Sequence, residues 1–293
     1  MSWRACITFA VLCVAWGVPY FFIKLAVQEL SPACIAWGRI TLAAVILVPI
    51  AWRRGVLRPA LAHKGAVIAF AIAELVIPFF LIALGEQWLS SSLTGILVAT
   101  VPLTVVMLAP LFGVHERLGV GRIAGLAIGF AGVVALLGFD TSHGPMLWAG
   151  VAATVVAVVG YAVGPLVVER YLADVDELGA LACSLVVASV VLFPMALLSA
   201  PAQAPSTLSL MSVAVLGVVC TALALLLYFY LISEAGAARA SLVAYVCPAV
   251  AALLGVLVLH EHFGIAATAG LTMILFGSWL ASSRTQRPAE SPA

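Results

Sequence analysis

Charge is what this sequence has least of. Charged residues make up 9% of the 293, and 65% are apolar, whereas a water-soluble globule carries about 25% charged residues. A chain so poor in charge cannot cover a water-facing surface, so hydrocarbon is its solvent. An excess of either sign is missing too. Thirteen Lys and Arg stand against 12 Asp and Glu, and without a basic field a nucleic-acid partner is excluded. The six cysteines (Cys6, Cys13, Cys34, Cys183, Cys220, Cys247) lie in apolar runs with no CxxC or metal-type spacing. They read as small packing residues, and imply neither a disulfide framework nor a redox compartment. There is no Walker-type phosphate loop and no polar stretch long enough for a nucleotide domain, so ATP is not the energy source. No cofactor is implied.

What the chain does have is long apolar runs. A bilayer core needs about 20 apolar residues per helix. Ten segments meet that length: 5–27, 33–52, 65–84, 93–113, 122–139, 146–168, 178–199, 210–232, 241–259 and 264–282. Loop punctuation separates them, as in Gln28-Glu29-Leu30-Ser31-Pro32, Arg53-Arg54-Gly55, the 140–145 stretch and the 200–205 stretch with its two prolines. The first run is too long for a signal-peptide core and lacks a small-residue cleavage site, so it reads as a retained helix. The polar tail 284–293 reads as disordered.

Orientation follows from the cations. With the N-terminus in the cytoplasm, the inner side holds Arg4, Arg53, Arg54, Arg58, Lys64, Arg117, Arg122, Arg170, Arg239, Arg284 and Arg287. The remaining two, Lys24 and Arg39, fall within segments 1 and 2, and the outer loops hold none. Both termini are thus expected in the cytoplasm. Trp3, Trp52, Trp88 and Trp148 fall near segment ends, as an aromatic belt would.

An internal repeat runs through the chain. Ala99-Thr100-Val101-Pro102 returns 146 residues later as Tyr245-Val246-Cys247-Pro248. Each is followed by an apolar run ending in His-Glu (His115-Glu116, His260-Glu261), then by a glycine-rich segment with Gly125 and Gly132, or Gly270 and Gly277. Trp16-Gly17 stands opposite Gly160-Tyr161. The halves are 1–139 and 140–283. Five helices per copy is an odd number, so the second copy is expected to be inverted in the membrane. Inverted repeats characterise secondary transporters, whose site lies near the midplane between the copies. The expected fold is therefore an all-α membrane protein of ten helices in a 5+5 arrangement.

These landmarks resemble the EamA family of the drug/metabolite transporter superfamily: Trp16-Gly17 with Lys24, Arg39, the stretch from Ser90 to Pro102, His115-Glu116-Arg117, and the second-half stretch to His260-Glu261. The likeness covers about residues 5–282. It implies a ten-helix fold, cytoplasmic termini, a cell-membrane location, and export or exchange of metabolites such as amino acids. The second copy departs from the first, with Glu169 near the position of Lys24 and Ser184 near that of Arg39, so the two halves cannot line a chemically symmetric site.

Ionisable groups inside a membrane are expensive and each needs a reason. Glu74 falls near the centre of segment 3. Arg39 lies about seven residues, or ~10 Å, below the outer end of segment 2, at a similar depth. A salt bridge between them would relieve both charges, either as a static lock or as a proton- or substrate-linked pair. Lys24 either snorkels to the interface or joins Arg39 in attracting a carboxylate or phosphate. Pro19, Pro102, Pro165 and Pro248 free backbone carbonyls at corresponding depths. They read as bends lining the pathway, with ordinary membrane-helix kinks as the plainer alternative. Trp16, Tyr161 and Tyr245 offer stacking faces and hydroxyls for an organic substrate, or simply pack.

His260-Glu261-His262 lies in a tight hairpin without a fourth ligand, so no metal site is read there. Glu116 and Glu261 read as caps in the short hairpins. The Gly121, Gly125, Gly129 stripe reads as a close-packing face, within one protomer or across a homodimer. Glu74 is the lone carboxylate near midplane and no His lies centrally, which argues against an intramembrane enzyme. The expected function is a proton-coupled exporter of small organic metabolites. An uptake or sugar-conjugate carrier of the same fold is the runner-up, and a passive channel is a further alternative.

Overall fold

The computed structural model describes residues 2–113, 119–138, 145–261 and 264–282. Among them all regular structure is helical. Ten segments run in order: α1 (Trp3–Ala26), α2 (Pro32–Arg53), α3 (Lys64–Gly85), α4 (Ser91–Phe112), α5 (Val120–Gly138), α6 (Pro145–Tyr171), α7 (Glu177–Leu198), α8 (Thr207–Ala235), α9 (Val243–Leu257) and α10 (Ile265–Ser282). All but α9 are long and apolar enough to cross a membrane.

The starts of these helices are written locally. Ser2, Ser31, Ser90, Asp176 and Ser206 each accept a hydrogen bond from the backbone N–H three residues on, which satisfies one of the orphan donors of a first turn. Proline occupies the first helical position of α2, where no donor is lost.

The helices depart from uniformity in three ways. First, α9 has 15 residues where 241–259 was expected, or ~22 Å against a hydrocarbon core of ~30 Å. Gly236, at φ 82, ends α8; a short helix, Ala237–Ala240, and a turn at Ser241 and Leu242 then delay the start of α9. Second, the four prolines do not act alike. α1 breaks at Val18 before Pro19 and α4 breaks at Ala99 and Thr100 before Pro102, whereas α6 and α9 run unbroken through Pro165 and Pro248. Third, α3 and α8 each contain one π-helical turn, at Ala71–Val76 and Val218–Leu223. These lie at matching points of the repeat. In α3 the turn is followed by Pro78, which has no N–H to return to the Glu74 carbonyl. In α8 the Thr221 hydroxyl donates to the Leu216 carbonyl at 2.8 Å, five residues back.

Between lipid-facing helices there is no hydrophobic drive, so close contact rests on small residues and dispersion. α2 packs on α7 through Ile40, Ala43 and Leu47 against Leu181, Leu185 and Leu192. α3 packs on α6, α4 on α9, and α1 on α8 and α9. The glycine stripe of α5 meets α10 within the same chain: a Cβ at Gly125 would strike the Ala281 amide and the Gly277 carbonyl, and one at Gly277 would strike the backbone of Gly125 and Gly129. The outside of the bundle is apolar, with Leu198, Val120 and Ile265 each more than four-fifths exposed, as a lipid-facing surface requires. Trp3, Trp52, Trp88 and Trp148 are exposed near helix ends. Of the cysteines, Cys13, Cys183, Cys220 and Cys247 are buried, but Cys6 is exposed, so it is not a packing residue.

Candidate functional site

A cavity of about 350 Å³ lies where α1, α2, α3, α4, α6, α7, α8 and α9 converge. All four prolines, Pro19, Pro102, Pro165 and Pro248, line it, beside Trp16, Arg39, Glu74 and Tyr161. The four proline-bearing helices therefore meet around one space, where backbone irregularity is tolerated better than against lipid.

Arg39 enters from α2 and is 8% exposed. Its Nε donates to the Thr221 hydroxyl at 2.7 Å, and its guanidinium carbon stands 3.9 Å over the centroid of the Phe79 ring. Thr221 is the position that corresponds to Glu74 in the second π-turn. One π-turn thus presents a carboxyl to the cavity, and its counterpart presents a hydroxyl that holds the cation. Glu74 lies against α6, where a Cβ on Gly164 would collide with its carboxyl. Its Oε2 is buried and makes no hydrogen bond among the described residues.

The expected salt bridge does not form. Arg39 commits its edge to Thr221 and its face to Phe79, and no ion pair joins it to Glu74 among the described residues. Cation and carboxyl border the same cavity without neutralising each other.

Lys24 is not a cavity residue. Its Nζ donates to the carbonyls of Glu86 and Leu89, both at 2.7 Å, so it does not join Arg39 at the cavity wall. It ties α1 to the end of α3. Tyr245 borders a second cavity, of about 430 Å³, lined by Arg122, Glu169, Ser241 and the 105–110 part of α4. The two cavities share Val101, Pro102 and Ala244. The Tyr245 hydroxyl donates to the Ser278 carbonyl at 3.3 Å.

The Lys24 end of the bundle carries a second set of polar contacts. His260 adopts φ 54, a left-handed turn that His tolerates better than most residues. It swings Glu261 onto the start of α4, where the carboxylate accepts from the Ser91 amide at 2.7 Å, the Ser92 amide at 2.9 Å and the Ser92 hydroxyl at 2.5 Å. Glu261 is thus a helix cap as expected, but of α4 rather than of its own hairpin. Gly255 leaves room for it, since a Cβ there would meet Glu261 and Ser92. His115, Glu116, Arg117, His143 and His262, the 139–144 loop and the tail lie outside the described residues.

Residue-type reasoning overlooked Tyr20, Phe79, Cys220, Thr221 and Cys247, all of which line the central cavity. Thr221 was findable: it stands 147 residues after Glu74, close to the repeat spacing. Phe79, one aromatic among many in an apolar run, carried no such signal.

Comparison with known proteins agrees with this architecture. A protein described as an uncharacterized transporter from Archaeoglobus fulgidus is 26% identical over 281 residues, covering 94% of this chain and 97% of its own length. The Escherichia coli "Uncharacterized inner membrane transporter YedA" is 29% identical over 255 residues, covering 83% of this chain and 79% of its own. Protein PagO of Salmonella typhimurium is 27% identical over 256 residues, covering 85% and 83%. A solved crystal structure shares the fold at TM-score 0.67 and 20% identity, covering 95% of this chain and 96% of its own. The profile of the EamA-like transporter family matches residues 3–138 and again 148–283. Matched over both halves, the chain belongs to the EamA-like transporter family.

Proposed function

We propose that this protein is a secondary active transporter that exports small zwitterionic metabolites, amino acids among them, across the cell membrane by alternating access, with protons as the coupling ion. The observation that carries this reading is a single cavity bounded by a cation and a carboxyl that do not pair. Arg39 has Nε and one face occupied, and no hydrogen bond engages its terminal nitrogens among the described residues. Those nitrogens suit a substrate carboxylate, which a guanidinium grips with two parallel bonds. Glu74 suits an ammonium, or a proton when the site is empty. Trp16, Tyr20, Phe79 and Tyr161 offer flat apolar contact to the remainder. A volume of about 350 Å³ suits a metabolite of that size.

In this reading the two five-helix halves are inverted relative to each other, and both termini are cytoplasmic. The second cavity, with Arg122 and Glu169 at its wall, is the cytoplasmic vestibule, and the Lys24 end is the closed outer side. The paired π-turns and the breaks at Val18 and Ala99 are the places where the backbone yields as the two ends exchange access.

Counterflow in proteoliposomes, run on a panel of amino acids and related metabolites with Glu74→Gln alongside, tests the proposal. Saturable uptake driven by unlabelled internal substrate, lost or uncoupled from the proton gradient in Glu74→Gln, is the expected result. Flux that neither saturates nor shows trans-stimulation would identify a passive pore instead.

A further inference from the structure

The Lys24 end, the outer seal in the reading above, contains a buried acid that the transport site does not use. Glu86, one residue beyond α3, is 0% exposed, and neither of its carboxylate oxygens has a hydrogen-bond partner among the described residues. It sits among the polar groups gathered at the Lys24 end. Its own carbonyl and that of Leu89 receive Lys24. A few residues on, Ser91 and Ser92 receive Glu261, and the Ser91 hydroxyl is likewise buried and unpartnered. The titratable groups around Glu86 are Lys24 and Tyr20 on α1 and Glu261 on the connection before α10. α6, which packs against the neighbouring Gly85, contributes Gly150 and Thr154, neither of which titrates.

We infer that Glu86 is a proton-binding site that senses external pH and controls the opening of the outer seal. The proposal rests on the reading of the Lys24 end as a gate. In the closed seal the carboxyl is dry, Lys24 is spent on backbone carbonyls, and Glu261 adds like charge, so the neutral acid is the form that fits. Burial, the larger cause, and Glu261 push Glu86 well above the usual carboxylate range, against the opposing pull of Lys24. Once the seal parts and water reaches it, the group returns to an ordinary carboxylate of pKa ~4.3. Opening therefore releases one proton to the outer medium. Between the two values, raising pH favours the open seal and lowering pH holds it shut, by at most about tenfold per pH unit. Because the proton returns to the side it came from, Glu86 regulates access and does not move the coupling ion across.

Amide hydrogen exchange of the 86–98 segment, measured in lipid nanodiscs from about pH 5.5 to about pH 8.5 and corrected for intrinsic exchange, reads the seal directly. Wild type is expected to show an opening constant that rises with pH, by up to about tenfold per unit. Glu86→Gln should be flat and as protected as wild type at low pH, and Glu86→Asp should restore the slope. A flat wild-type profile, or a wild-type slope kept in Glu86→Gln, overturns the proposal. So does a slope of opposite sign, which would place the sensor at another group. No substrate enters the measurement, so its failure leaves the transport reading standing and is distinguishable from failure of counterflow.

Discussion

Thr221→Val removes one hydroxyl and little else, and it tests whether Arg39 is held in place for a ligand. The hydroxyl accepts from Arg39 Nε at 2.7 Å and donates to the Leu216 carbonyl at 2.8 Å. Valine keeps the shape but leaves a buried charged donor without its acceptor. Hydrogen bonds to charged groups contribute about 1.5–3 kcal/mol. At about 1.4 kcal/mol per factor of ten, the loss limits the weakening of a carboxylate-bearing substrate to roughly 10- to 150-fold. The Phe79 face remains, so the guanidinium stays in the cavity but turns about its stem. Half-saturation in proteoliposome counterflow is the assay, with Thr221→Ser as the conservative control, expected to lie close to wild type. An analogue lacking the carboxylate should be indifferent to Thr221→Val. Equal weakening of both substrates would refute the reasoning and make Thr221 a packing residue of the π-turn.

The remaining predictions concern stability and the outer loops. Gly277→Ala places a methyl against the backbone of Gly125 and Gly129, so α5 and α10 must separate; overpacking of this kind costs about 1–3 kcal/mol and should appear as a lower thermal midpoint in detergent. Glu29 accepts from the Ser206 amide at 2.6 Å, and that bond and the Ser206 hydroxyl hold its carboxyl below the usual range of 4.5. A lowered folded value means the contribution is complete at neutral pH and is lost as pH falls below 4.5 and through the folded value. The stability difference between wild type and Glu29→Gln should therefore shrink as a thermal-melt series descends to about pH 3; a difference that grows on acidification would contradict the assignment.

Much of the fold was legible because hydropathy in lipid is a strong constraint. Each expected segment overlaps an observed helix, and the Pro102/Pro248 and glycine landmarks lie in regions the family profile matches twice. What stayed hidden depends on where a helix turns its side chains. The depth of Arg39 and Glu74 could be counted, but not that Phe79 and Thr221 would claim the guanidinium first. Lys24 looked like a cavity cation because its range of carbonyl partners, 62 and 65 residues away, is invisible in one dimension. Equal prolines gave unequal outcomes: α1 and α4 break before Pro19 and Pro102, whereas α6 and α9 run on through Pro165 and Pro248. The π-turns had no local signature in α8, where no proline follows.

The central claim is that Arg39 and Glu74 receive opposite ends of one zwitterion. The most direct test is counterflow of the preferred substrate against its two analogues, one lacking the carboxylate and one lacking the ammonium, in wild type, Arg39→Gln and Glu74→Gln. Arg39→Gln should stop discriminating against the carboxylate-free analogue while still rejecting the amine-free one, and Glu74→Gln should show the reverse. If both variants discriminate as wild type does, the two residues do not hold the substrate and the account is wrong.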